Sequence, residues 1–274
     1  MGRVELHYGS ATDVGVVREV NEDSLLASPP VFVVADGMGG HSGGDVASRI
    51  VVEEFAALAD QVYDAQSGVS AVVAALLSSQ RRIGEYAAAQ RSGGRPRWYA
   101  GTTAVVALLV EDAQHGPGWL LANLGDSRVY RVVERRLEQV SIDHSVVQEL
   151  IDAGRITPDE AEHHPERHVV TRALGGPDGI EPDFFRVPLA AAERLLLCSD
   201  GVTGMLADPE VSRILGDSED PRDAADRLVA AAVSAGGRDN ATAVVVDVVG
   251  WARTDSYDSA QQRASLEQKL GALP

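Results

Sequence analysis

Apolar positions along this chain recur in two periods, and the switch between them marks out the elements. Residues 31–35, Val-Phe-Val-Val-Ala, form an unbroken β-branched and aromatic run that stops at Asp36-Gly37. Such a run predicts a strand buried on both faces. Val46, Ile50, Val51, Phe55 and Leu58 then recur mostly three and four apart, and Val69, Val72, Val73, Leu76, Leu77 and Ile83 do the same. The spacing predicts two helices whose apolar stripes need a sheet or another helix to cover them. A Gly/Arg/Pro-rich break at 92–97 gives way to strand-like runs at 102–110, 119–123 and 129–133. These read as an antiparallel meander with Gly125-Asp126-Ser127 as its last turn.

Residues 141–176 change character, with two short helical stretches among histidines, prolines and glycines. One opens at Thr157-Pro158-Asp159-Glu160, a capping box with Pro at the first helical position. This polar stretch reads as an excursion from the core. Strand character returns at 194–199, again ended by Asp-Gly, and Asp208-Pro209-Glu210 and Asp220-Pro221 start two more helices. Gly236-Gly237 stops the second, and Arg238-Asp239-Asn240 leads into a last buried strand at 241–249. From residue 251 the apolar pattern thins, so 251–274 reads as a weakly docked or partly disordered tail. The order lacks regular βαβ alternation and predicts an α+β domain over 1–250, with helices covering antiparallel sheets.

Charge narrows the partners. Lys plus Arg is 24 and Asp plus Glu is 41, so the chain carries −17, which opposes nucleic acid and anionic lipid. With 45% hydrophobic residues the composition is that of a globular protein rather than a disordered one. The single cysteine, Cys198, excludes an internal disulfide and a Cys-based zinc cluster. No apolar run is long enough to span a membrane, and no secretory signal opens the sequence. A cytoplasmic monomer is expected.

Asp36, Asp200 and Asp239 each adjoin a strongly apolar strand, so a sheet edge could bring all three together. Carboxylates that close raise one another's pKa unless a cation lies between them, and hard divalent ions such as Mg²⁺ or Mn²⁺ suit oxygen donors. Glycines at 37 and 201 would let backbone approach such an ion, although Asp-Gly after a strand also reads as a plain turn. Two ions would activate water for displacement at phosphorus without a side-chain nucleophile. Other phosphatase chemistries lack their residues: six after Cys198 stands Gly204 rather than Arg, and neither Asp36-Gly37-Met38 nor Asp200-Gly201-Val202 is Asp-x-Asp. The glycines at 37, 39, 40, 43 and 44 fail the dinucleotide pattern because Ser42 replaces the third glycine. Cys198 reads as a small buried strand residue.

Six motifs, in order, resemble the metal-dependent protein phosphatases of type 2C in their compact bacterial form. They are Asn21-Glu22-Asp23, 34–41 (Val-Ala-Asp-Gly-Met-Gly-Gly-His), Gly101-Thr102-Thr103, 123–128 (Asn-Leu-Gly-Asp-Ser-Arg), 198–201 (Cys-Ser-Asp-Gly) and 238–242 (Arg-Asp-Asn-Ala-Thr). The resemblance implies a four-layer α-β-β-α sandwich of two antiparallel sheets with a flap at about 144–176. It also implies hydrolysis of phosphoserine and phosphothreonine in proteins, opposing serine/threonine kinases. By position, Asp36 would bridge two Mn²⁺ or Mg²⁺ ions, the Gly37 carbonyl would bind the second, and Asp200 and Asp239 would hold the first. Glu22 and Asp23 would act through bound waters, Asp126 would join Asp200 at a third, weaker site, and Arg18 would grip the substrate phosphate.

One position departs from the animal members, which carry a histidine after the Asp-Gly where this chain has Met38. The leaving-group acid is therefore unassigned. His41 lies nearby at a different motif position, and Pro165 interrupts the i, i+4 pair His164 and His168, which argues against zinc. The alternative reading is a catalytically idle phosphatase fold that binds phosphoproteins or regulators, and its sign would be a missing metal ligand.

Overall fold

The computed structural model describes residues 4–39, 43–95, 98–111, 116–177 and 179–251. The chain opens with β1 (Val4–Asp13), β2 (Ser24–Ser28), β3 (Val31–Ala35) and the short β4 (Gly37–Met38), followed by α1 (Gly44–Ala56) and α2 (Ala65–Ser92). Next come β5 (Gly101–Thr102), β6 (Ala104–Val110), β7 (Gly118–Leu124), β8 (Arg128–Val133) and β9 (Arg136–Gln139). The excursion holds α3 (Val146–Asp152) and α4 (Pro158–Ala161). The remainder is β10 (Asp183–Pro188), β11 (Arg194–Cys198), α5 (Asp200–Thr203), α6 (Asp208–Asp217), α7 (Pro221–Ser234) and β12 (Ala241–Trp251).

Two five-stranded antiparallel sheets result, ordered β1-β12-β11-β8-β9 and β10-β7-β6-β3-β2, while β4 and β5 pair separately. Strand alternation explains the layers. In β3, Val31, Val33 and Ala35 pack under α1 and α2, while Phe32 and Val34 face the opposite sheet. In β11, Leu196 and Cys198 join Val211 and Ile214 of α6 and Leu228 of α7, and Leu195 and Leu197 turn inward. Both faces of the central strands are thus apolar, the condition that produces the unbroken runs in the sequence. Between the sheets Phe32 lies edge-on to Trp119 and to Tyr8, with centroids 6.0 and 5.4 Å away. Burying each such side chain contributes about 1.5–3 kcal/mol. The layers are helices, sheet, sheet, helices, as expected. Cys198 is buried, and burial pushes its thiol up to about 12, which leaves it inert.

Three local expectations are corrected. The meander does not continue through Gly125-Asp126-Ser127: β6 and β7 pair as a hairpin, but β8 lies in the other sheet, so these residues carry the chain across the sandwich. Gly125, with φ +120°, allows that crossing. The actual hairpin follows, β8 to β9, through Glu134 and Arg135, both at positive φ. Leu77 does not belong to the buried stripe of α2 and is 54% exposed, because its position falls on the solvent side of the stripe set by Val72, Leu76 and Ile83. The first helical pattern ends at Ala56, so Leu58 is buried from the following turn.

The polar excursion forms as expected. Ser145 caps α3 by accepting from the Gln148 N–H, and Thr157 and Glu160 close a capping box around α4 with Pro158 at its start. Its two ends are pinned together, since His144 N–H donates to Gly125 O and Thr171 N–H donates to His144 O, each at 2.9 Å. The expectations for His41 and for the tail beyond residue 251 lie outside the described residues.

Candidate active site

Strand register brings the acidic positions to one edge of the sandwich. Ser24 pairs with Ala35, so Glu22 and Asp23 before β2 meet Asp36 after β3. Cys198 pairs with Arg128 on one side and Ala243 on the other, so Asp200, Asp126 and Asp239 leave neighbouring strand ends in the second sheet. Six acidic residues from five separate segments therefore converge at this edge. Arg18 stands on its rim.

Hydroxyls and amides fix the backbone around them. Asp36 N–H donates to Thr103 Oγ1 (3.0 Å), which also pairs with Ser127 Oγ (2.8 Å), while Thr102 Oγ1 and Thr103 N–H both donate to Asp36 O at 2.9 Å. Ser199 Oγ donates to Asp23 Oδ2 at 2.8 Å and accepts from Thr242 N–H at 3.0 Å. Asn240 is the hub. Its Nδ2 donates to Val14 O and Val20 O, each at 3.0 Å, and its Oδ1 accepts from Glu22 N–H at 2.8 Å. The loop carrying Arg18 is so tied to the strand start that carries Asp239.

Glycines permit this crowding. A Cβ on residue 37 would collide with the carbonyls of Glu22 and Gly44, and one on residue 201 would collide with Asn240 O. At both positions one backbone segment approaches another too closely for a side chain.

Electrostatics show an overcrowded anionic centre. Burial, then the charges of Asp200 and Asp239, push Asp23 up to about 7 despite its hydrogen bonds from Thr242 and Ser199. Burial, then Asp200 and Asp143, push Asp126 up to about 7. Asp36 rises well above the carboxylate range through burial and the charges of Asp23, Asp200, Asp126 and Asp239. Asp200 rises through burial and Asp239, offset in part by a hydrogen bond with Asp36. Glu22 rises through burial and Asp45, a first-turn residue of α1. Arg18 Nη2 donates to Asp239 Oδ2 at 2.7 Å, the main cause of its raised pKa.

The donor set fits a hard divalent cation. All its donors are oxygens, and Asp23 Oδ1 is buried without a hydrogen-bond partner, a costly arrangement that a cation or its water would relieve. Among the described residues no group of three or more His, Cys, Asp or Glu side chains forms a finished ion cage. The carboxylates turn instead to partners within the chain, Asp239 to Arg18 and Asp36 to Asp200.

Sequence reasoning did not single out Asn240, Ser199, Thr103 or Asp45. Asn240, Ser199 and Thr103 lie within the quoted motifs, where a neutral polar side chain beside a carboxylate has no pattern that gives it a role, and Asp45 lies beyond the nearest motif. Asn240 is the most consequential. Asn240→Ala leaves two carbonyls and one N–H without this partner and is expected to cost about 2–4 kcal/mol. A thermal melt would then fall by roughly 5–10 °C.

The fold and site together define a carboxylate-lined centre at one edge of two paired antiparallel sheets. A family model described as Protein phosphatase 2C matches residues 17–235, and the chain belongs to that family. It is 38% identical over 268 residues to the serine/threonine protein phosphatase PstP of Mycobacterium tuberculosis, covering 97% of this chain and 49% of that protein. The chain thus spans about half the length of that relative. The serine/threonine phosphatase stp of Listeria monocytogenes is 33% identical over 253 residues, covering 88% of this chain and 96% of that protein. A crystal structure of the PstP catalytic domain in complex with two manganese ions superposes with TM-score 0.75 at 34% identity, covering 89% of this chain and 99% of that one. The family and four-layer fold expected from the motifs are borne out.

Proposed function

We propose that this chain hydrolyses phosphoserine and phosphothreonine in proteins, with two Mn²⁺ or Mg²⁺ ions held at the carboxylate cluster. The observation that carries the reading is the set of mutually repelling carboxyl groups around Asp36, with the partnerless Asp23 Oδ1, beside a half-exposed arginine. The manganese complex of a relative supports the choice of ion. Asp36 would reach both ions, Gly37 O the second, and Asp200 and Asp239 the first. Glu22 and Asp23 would act through waters, and Asp126 with Asp200 would offer a third, weaker site.

When bound, the ions lower the pKa of water and take up charge developing on the phosphoryl group. Arg18 exchanges its bond to Asp239 for the substrate phosphate, whose two oxygens match the guanidinium fork. Asn240 holds the Arg18 loop in place for this exchange. Met38 has no proton to give to the departing seryl or threonyl oxygen, so the proton comes from another donor. Phosphorylated proteins, including serine/threonine kinases and their targets, are the proposed partners of a cytoplasmic monomer; among the described residues no helix is long and apolar enough to cross a membrane.

The test is phosphate release from p-nitrophenyl phosphate and a phosphothreonine peptide, with Mn²⁺ and with a chelator. Release that requires Mn²⁺ supports the reading. No release from either substrate with or without ion, or binding of phosphopeptide without release, would instead favour the idle fold, although none of the expected ligand positions is substituted. Arg18→Ala is expected to raise KM about tenfold while kcat stays within about threefold, if the arginine holds ground state and transition state alike.

A further inference from the structure

The loop between β1 and β2 carries an apolar surface that the proposed chemistry does not use. Val16, Val17 and Val20 are 68, 65 and 51% exposed, three of the ten large hydrophobic residues left exposed among the described residues. They flank Arg18 in sequence, Val16 and Val17 immediately before it.

Their exposure is not that of a loose loop. Gly15 N–H donates to Asp13 Oδ1 and Val16 N–H donates to Gly237 O, both at 2.8 Å. Asn240 holds the carbonyls of Val14 and Val20. With both stems fixed, the valines cannot fold back against the protein, and their apolar area stays in water. Scattered exposed valines need no explanation, but three on one clamped loop beside the arginine proposed to grip phosphate do.

Building on the phosphatase reading, we infer that Val16 and Val17 form a subsite for the residue immediately flanking the phosphorylated serine or threonine, and that the favoured flanking residue is large and apolar. Arg18 supplies the continuity: a phosphate held by its guanidinium places the neighbouring substrate residues over the same short loop. Charge restricts the choice further. Asp13 at the end of β1 and Glu19 on the loop are exposed, and Glu22, which feels the charge of Asp45, lies further along it, so an acidic flanking residue meets repulsion. The net charge of −17 argues against an anionic membrane as occupant.

The experiment uses three phosphothreonine peptides identical except for the two residues beside the phosphothreonine, which are Leu, Ser or Asp. The whole chain with Mn²⁺ is expected to show kcat/KM in the order Leu, Ser, Asp, with Leu about tenfold above Ser. In Val16→Ser/Val17→Ser the Leu-to-Ser ratio should fall to about one. Because the readout is a ratio between peptides, a general loss of activity cancels, and a circular-dichroism melt checks that the surface substitutions leave the fold intact. A wild-type ratio near one, or a ratio unchanged in the variant, overturns the inference. So does a shift from dimer to monomer in the variant by sedimentation, which would assign the valines to a second copy. If no substrate is turned over at all, the phosphatase reading fails separately. The subsite is then judged by fluorescence anisotropy of the labelled peptides, where the same Leu preference and its loss in the variant support it and their absence overturns it.

Discussion

Asp36→Asn is expected to reduce turnover about 100-fold or more while making the ion-free protein harder to melt. The two effects have one cause. Asp36 stands among the charges of Asp23, Asp200, Asp126 and Asp239, and burial and these neighbours hold its pKa far above the ordinary range. Asparagine keeps the shape and removes a charge that the fold must otherwise desolvate or protonate. The backbone bonds to Thr102 and Thr103 do not involve the side chain and survive. The gain in melting temperature should grow as pH rises, because a raised pKa makes ionising the wild-type carboxyl increasingly costly to the fold, and it should shrink as pH falls. Mn²⁺ should then raise the midpoint of the variant far less than that of the wild type. A variant that melts lower than wild type at every pH, or keeps most of its turnover, would mean that Asp36 is an ordinary turn residue.

Much of this arrangement is legible in the sequence because strand burial writes itself plainly. Residues 31–35, 195–198 and 243–246 are apolar at consecutive positions, and the structure shows a helix layer on one face and the opposing sheet on the other. The Asp residues at the strand ends follow from the same pattern, and the six ordered motifs carry the fold. What escaped was information that local residues do not contain. Gly125-Asp126-Ser127 has the composition of a hairpin turn whether the chain returns in the same sheet or crosses to the other, and only partner strands decide. β9 escaped because Arg136–Gln139 is a mostly exposed edge with no apolar alternation, and its turn uses Glu134 and Arg135 rather than Asn or Gly at positive φ. The hub role of Asn240 depends on carbonyls more than 200 positions away in the chain, at Val14 and Val20.

The ion-free protein should lose stability as pH rises from about 5 to 8, and Mn²⁺ should restore it. Asp23 and Asp126 both titrate near 7 in the folded chain, against an unfolded value of 3.8. A raised folded pKa means that the native state binds more protons than the unfolded chain between those limits. The stabilisation is therefore full below about pH 4 and is lost as pH climbs through 7. Asp23 is the more secure source of the effect because it is buried, with 9% of its surface exposed, whereas Asp126 keeps more contact with solvent. The combined loss is of the order of a few kcal/mol, a fall of roughly 5–10 °C in midpoint. A cation takes the place of the protons, so Mn²⁺ should raise the midpoint more near pH 8 than near pH 5. Calorimetry near pH 6 in buffers of different ionisation enthalpy should show about one to two protons released per binding event. A chelated protein whose midpoint is flat across this range, or a Mn²⁺ effect that is equal at both ends of it, would show that these carboxyl groups do not repel one another in the folded chain. The raised pKa of Asp36 and Asp200 would then lose its physical basis, and with it the case for an ion between them.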